Sequence, residues 1–225
     1  NGSTIGINSY TWDFGDGQVS TDQNPVHIYT TAGTKLVTLT TGSIHGCTNS
    51  ISQIISINAS PVPQFTFTPT CFGETTCFTA TVGNHSGNYI QSWQWNFGDN
   101  SISQTQNPCH TYSSTGSNTI TLQVTDTNNC RSITTAIADV NPVPQASFST
   151  TNPCTNTSFQ LIDESTISSG NINNWQWIIN NDSAGTTSSI NYITESAGLL
   201  PVTIIVSSDK SCSDTLTEYI SVLVS

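Results

Sequence analysis

The sequence has no methionine, only three Lys and Arg side chains, and little charge of any kind, 8% of residues. Each shortage removes a class of protein. Against the three basic residues stand 14 Asp and Glu, for a net charge of −11. Phosphate recognition needs clustered Lys and Arg, so nucleic acid is excluded as a partner. Anionic membrane surfaces are excluded on the same ground. No apolar run approaches the roughly 18 residues of a spanning helix, so direct membrane insertion is not expected, and no signal-peptide pattern is present. Without Met the chain is expected to be a mature product or a fragment.

Thr, Ser and Asn fill much of the chain, a composition that favours disorder when apolar residues are scarce. Here alternating β-branched runs oppose it: Leu36-Val37-Thr38-Leu39-Thr40, Thr119-Ile120-Thr121-Leu122-Gln123-Val124 and Val202-Thr203-Ile204-Ile205-Val206. Such runs read as half-buried strands. No segment reads as a helix, so the fold class is all-β.

One phrase recurs. Tyr10-Thr11-Trp12-Asp13-Phe14-Gly15-Asp16-Gly17 returns as Trp93-Gln94-Trp95-Asn96-Phe97-Gly98-Asp99-Asn100. A worn copy follows, Trp175-Gln176-Trp177-Ile178-Ile179-Asn180-Asn181-Asp182. The step is 83 residues from Trp12 to Trp95 and 82 from Trp95 to Trp177. Gly33, Gly116 and Gly198 keep that step, as do Cys47, Cys130 and Cys212. A period of this length is one small domain, so the chain reads as a tandem array. The expected units are 1–60, 61–141 and 142–225. Large side chains at alternate positions of the phrase share one strand face, expected to be the core. A sugar-binding aromatic platform is the alternative for the same pattern. The Gly, Asp and Asn residues that follow have turn chemistry, since they tolerate positive φ and bond their own backbone.

The string Trp-Asp-Phe-Gly-Asp-Gly, then Asn24-Pro25, His27 and Tyr29, a Gly, an alternating strand and Gly46-Cys47 resembles the polycystic-kidney-disease (PKD) domain. The likeness is to its cysteine-containing version, found in tandem on secreted or cell-surface bacterial proteins such as those of Bacteroidetes. The second copy matches equally, with Asn107-Pro108, His110 and Tyr112. The third departs, keeping Trp177, Tyr192, Gly198 and its cysteines but lacking the Gly-Asp-Gly turn, the Asn-Pro and the His. The resemblance implies immunoglobulin-like β-sandwiches serving as spacer, stalk or adhesive module. It implies no particular ligand and no cofactor.

Seven Cys in a chain with few charges point to an oxidising, extracellular or cell-surface location. The repeat spacing suggests bridges within units, Cys71–Cys130 and Cys154–Cys212, each closing a loop worth about 4 kcal/mol on the chain-entropy model. Cys77 and Cys109 are then expected to pair locally. Zinc is the alternative for four Cys, but there is no Cys-x-x-Cys. Cys47 is left unpaired or joined to a partner outside the chain. Only 11 residues precede Trp12 whereas 34 residues of the second unit precede Trp95, so the first sandwich is expected to lack its opening strand or strands. A fragment explains this, and so does a strand supplied by a neighbour.

The junctions Asn58-Ala59-Ser60-Pro61-Val62-Pro63-Gln64 and Asn141-Pro142-Val143-Pro144-Gln145 are short and proline-stiffened, favouring a semi-rigid rod. Candidate N-glycan acceptors are Asn1, Asn58, Asn84, Asn156 and Asn181. Asp182-Ser183-Ala184 and Asp214-Thr215-Leu216 resemble a short bacterial O-glycosylation signal, with Ser183 and Thr215 as acceptors. Asp13 and Asp16 are a calcium candidate, weakened because Asp13 becomes Asn96 and Ile178 in the other copies. His27 and His110 share a repeat position and read as structural. No Ser-His-Asp or paired-carboxylate arrangement stands out, so an enzyme is not expected. The expected function is a structural and interaction segment of an extracellular stalk, adhesin or filament, polymerising by strand complementation of the open first domain. Its partners are then copies of itself or neighbouring repeats, with carbohydrate or a matrix polymer as further ligands. The alternative is a non-catalytic spacer or polymer-binding region of a secreted hydrolase.

Overall fold

The computed structural model describes residues 6–83 and 89–225, and among these every regular element is a strand. Three units follow one another. In the first, β1 (Ile7–Asp13), β2 (Val19–Ser20), β3 (Gly33–Ser43) and β4 (Thr48–Ile57) form a single antiparallel sheet ordered β2-β1-β3-β4.

The second unit contains β5 (Val62–Thr66), β6 (Thr70–Cys71), β7 (Thr75–Cys77), β8 (Thr79–Gly83), β9 (Ile90–Asn96), β10 (Ile102–Ser103), β11 (Cys109–Thr111), β12 (Gly116–Asp126) and β13 (Arg131–Asn141). Its main sheet, β10-β9-β12-β13-β6, repeats the first unit's order and adds β6 in parallel beside the end of β13. Facing it are the pairs β5-β8 and β7-β11. The third unit places β14 (Phe148–Thr150), β15 (Phe159–Asp163) and β18 (Ser189–Tyr192) over a sheet of β16 (Ile172–Ile179), β17 (Asp182–Gly185), β19 (Gly198–Ser208) and β20 (Ser213–Val222), ordered β17-β16-β19-β20. The last two units are therefore two-layer sandwiches.

Period-two alternation along β9 and β12 turns Trp95, Phe97, Ile120, Leu122 and Val124 inward, all at most 2% exposed. Phe78 and Ala80 close over them from the opposite layer, with Phe65 and Phe67 packed at the side. The third unit builds the same core from Trp177, Ile179, Val202, Ile204 and Val206 beneath Phe148, Phe159 and Leu161.

The turn after the Trp phrase follows from its residue types. Asp13 Oδ1 accepts from the Gly15 amide and Asn96 Oδ1 from the Gly98 amide, both at 2.9 Å. Gly98 has φ +87°, and a Cβ there would stand 2.8 Å from the Thr119 backbone, so glycine is required twice over. The third unit reaches the same end differently, with Asn180 and Asn181 both left-handed in a two-residue hairpin between β16 and β17.

Candidate functional site

Two features of the array stand out: the core-side face of the first sheet, and the free cysteines Cys47, Cys130 and Cys154. Trp12, Phe14, Val37, Leu39 and Ile55 project from the first sheet as Trp95, Phe97, Ile120, Leu122 and Ala138 do from the second. In the second unit Phe65, Phe67, Phe78 and Ala80 cover those residues. Among the described residues of the first unit no strand lies over them, and they line an open apolar groove together with His27, Tyr29 and Ile51. Trp95 is fully buried, whereas Trp12, Val37 and Leu39 are half-exposed.

The indole nitrogens register the same difference. Trp95 Nε1 donates to the Thr105 carbonyl at 3.0 Å and Trp177 Nε1 to the Thr187 carbonyl at 2.8 Å. Trp12 Nε1 is shielded from solvent and has no such partner. A buried donor left unpaired costs about 1–3 kcal/mol.

One wall of the groove is rigid. His27 stacks on Phe14 at 4.0 Å, meets Tyr29 edge-on at 4.5 Å, and places Nε2 2.7 Å from Asp16 Oδ2. Tyr29 donates to the Phe14 carbonyl at 3.1 Å. The second unit repeats the clamp with His110, Phe97, Tyr112 and Asp99. The bond from His27 holds the Asp16 carboxyl below its ordinary value. For Asp99, burial pushes the carboxyl up, but bonds from Ser101 and His110 outweigh it and hold the group at about 2. Desolvation pushes the Tyr112 phenol to about 12, helped by the Asp99 charge. These groups are tied to one another and built for rigidity. Asp13 and Asp16, the calcium candidate, have carboxylate oxygens engaged by the turn amides of Gly15 and Gln18 and by His27. Among the described residues no group of three or more His, Cys, Asp or Glu gathers as a metal site.

The cysteines correct two expected bridges. Cys71 is bonded to Cys212 of the third unit, not to Cys130, and Cys130 and Cys154 carry free thiols. The reason is strand length. Cys130 precedes β13, whereas Cys71 pairs beside Asn141 at that strand's other end. Eleven residues at about 3.3 Å each put roughly 33 Å between them, far beyond disulfide reach. Cys154 and Cys212 are separated likewise, since Cys212 precedes β20 and Cys154 bridges to Leu223 just past its end. Cys77 and Cys109 face each other across β7 and β11 and are joined. Cys47 is exposed and free.

Sequence reasoning missed what shapes the late cysteine turn. Asp126 is fully buried, and its Oδ1 accepts from the Asn128 and Cys130 amides at 2.8 and 2.9 Å. Ser43 Oγ and Ser208 Oγ do the same for the Cys47 and Cys212 amides at 3.2 Å. The signal was available as a polar residue four before each late Cys. Of the candidate glycan acceptors, Asn58, Asn156, Asn181, Ser183 and Thr215 are exposed, while Asn1 and Asn84 lie outside the described residues.

A single sheet, as far as its described residues go, followed by two immunoglobulin-like sandwiches defines a tandem-domain all-β protein. The family model of the PKD domain matches residues 1–57 and 58–141, well over half of the sequence, and the chain belongs to that family. The divergent third unit lies outside the matched residues. The pre-pro-metalloprotease PrtV of Vibrio cholerae serotype O1 (El Tor Inaba N16961) is 29% identical over 121 residues, covering 53% of this chain and 13% of that protein. The chain thus spans a small part of that relative's length. The crystallised PKD1 domain from Vibrio cholerae PrtV is 26% identical, covers 36% of this chain and 98% of that domain, and superposes with a TM-score of 0.34. The three N-terminal domains of the bacteriophage RB49 Hoc protein reach a TM-score of 0.52 at 10% identity, over 96% of this chain and 88% of that one, a likeness of fold alone. Among the described residues no helix is long and apolar enough to cross a membrane.

Proposed function

We propose that this chain is a structural and interaction segment of an extracellular stalk, adhesin or filament, and that the open face of its first sheet is completed by a strand segment from a neighbouring molecule. The observation that carries the reading is the half-exposed row of Trp12, Val37, Leu39 and Ile55, over which no strand lies among the described residues. An apolar face of this kind is an interaction surface in a folded protein. The second unit supplies the pattern of the occupant: a segment like residues 62–83, which lays aromatics over the core and runs a short strand parallel to the end of β13. The matching edge of β4 is unpaired among the described residues, so backbone and side-chain docking are available together. Two disulfides and scarce charge suit an oxidising, extracellular setting. The exposed Asn and Ser/Thr acceptors would carry sugars there.

Electron microscopy of the native material, with helical averaging, tests this reading. The expected image is a continuous assembly with density filling the first sandwich from a neighbour. Isolated rods whose first sheet stays uncovered would remove strand complementation, and rods ending in an unrelated globular head would remove the filament.

The similarity to PrtV favours a second reading, a non-catalytic spacer or polymer-binding region of a larger secreted hydrolase. Tyr89, Phe72 and Tyr219 are exposed at 80%, 43% and 68% and are the aromatics free to touch a polymer. Co-sedimentation with insoluble collagen or chitin, lost in Tyr89→Ala and Tyr219→Ala, is its expected sign. No retention on either polymer would leave the structural reading alone.

A further inference from the structure

The bridge between Cys71 and Cys212 joins the tail end of one unit to the head end of the next, and both of its halves recur. The tail half is a cysteine paired in parallel beside the last strand. Cys71 stands opposite Asn141, with the Phe72 amide donating to the Asn141 carbonyl at 2.8 Å. Cys154 stands opposite Leu223, with the Thr155 amide donating to the Leu223 carbonyl at 2.9 Å. The head half is the late turn. In each unit the cysteine follows a left-handed residue, Gly46, Asn129 or Ser211. In each, the cysteine carbonyl accepts from the backbone amide four residues earlier, at Ser43, Asp126 or Ser208. The head turn lies at the junction, because the Ala146 amide just past the linker donates to Asp214 Oδ2 at 2.8 Å.

We propose that Cys154 and Cys47 are the unfilled tail and head halves of this same bridge, so that the third unit is covalently joined to the head turn of a following sandwich of this kind. The sequence itself contains a free head cysteine of that type in Cys47, exposed at the end of the first unit, so a second copy of the chain can supply it. A further PKD unit of a longer chain has the same chemistry. Cys154 is half-buried yet unbonded, as a tail half awaiting its partner should be. This inference does not rest on strand complementation, since neither Cys47 nor Cys154 lines the groove of the first sheet.

The step is an oxidation and is balanced by a disulfide oxidant. The Cys154 thiolate attacks oxidised glutathione and releases one glutathione thiolate. The Cys47 thiolate of the next copy then attacks the mixed disulfide at the Cys154 sulfur and releases the second. Two protein thiols become one disulfide while one oxidised glutathione becomes two reduced ones, with two electrons transferred.

The test starts from the whole chain, oxidised in a glutathione buffer and resolved by non-reducing electrophoresis with disulfide peptide mapping. A ladder in steps of 24.0 kDa is expected, with the Cys154 peptide bonded to the Cys47 peptide. Cys154→Ser or Cys47→Ser should reduce the ladder more than tenfold, while Cys130→Ser leaves it, with tryptophan fluorescence verifying that each variant is folded. If the isolated chain gives no ladder, the same mapping is made on native material. There a Cys154 peptide bonded to a late-turn cysteine from outside this sequence supports the inference and assigns the partner to a longer chain. A ladder that persists in Cys154→Ser, a Cys154–Cys212 or Cys154–Cys130 bridge, or a free Cys154 thiol in native material overturns it.

Discussion

The first and second units carry nearly the same strand phrases but end in different states. Trp95 is sealed from solvent under Phe65 and Phe78, and its indole N–H is bonded to Thr105. Trp12 holds the matching position on a matching sheet, yet it is half-exposed with its N–H unpartnered. The difference lies in the strands laid over each sheet, since both sheets have the order and register of one template. A tryptophan at a given place in the pattern is thus core only when the second layer is present. Among the described residues of the first unit no such layer is present, and the same side chain stays half-exposed.

The comparison breaks most sharply at those two residues. Trp95→Ala is expected to cost about 3–5 kcal/mol, the range for an aromatic removed from a closed core. Trp12→Ala should cost a small fraction of that in the isolated chain. Denaturant titration of each variant, read unit by unit through amide exchange, measures the contrast, and equal costs would mean that the first core is closed in solution.

The unit junctions come next. Cys71→Ser removes the covalent tie between the second and third units, and a native disulfide of this kind is worth about 2–4 kcal/mol. Small-angle scattering should show a wider spread of inter-unit angles in that variant. Cys77→Ser is expected to loosen only β7 and β11 and leave the angular spread unchanged.

Gly98→Ala is a smaller perturbation, about 1–3 kcal/mol for a side chain forced into a left-handed position against the Thr119 backbone. Gly116→Ala, also at positive φ but with open space around it, should cost less. Thermal unfolding of the two variants separates steric clash from backbone preference.

The smallest effect is acid sensitivity. The folded Asp99 carboxyl titrates at about 2, below its ordinary 3.8. A depressed carboxylate stabilises the fold above the unfolded value, and that contribution is lost as pH falls from about 4 to about 2. Asp99→Asn should flatten the stability profile of the second unit across that window, and an unchanged slope would remove the His110–Asp99 clamp as a contributor.

Much of this was legible in the residues. The alternation of Trp95, Phe97, Ile120 and Leu122 specified strands and their inward face, because period two leaves no other consistent burial. Gly15, Gly98 and the Asn180-Asn181 pair marked the turns. The cradle around each late cysteine shows only when the three copies are laid over one another, since a lone Ser43 or Asp126 in a chain rich in polar residues does not announce that its oxygen faces a turn.

The cysteines draw the line between the two sources of information. The repeat alone determined which cysteines are equivalent, because spacing along the chain survives any change of geometry. Which ones bond was decided by tertiary structure. An extended strand of eleven residues carries its two ends roughly 33 Å apart, so the early and late cysteines of one unit never meet. The linker instead brings the tail of the second unit against the head of the third, and Cys71 finds Cys212 across 141 residues of sequence.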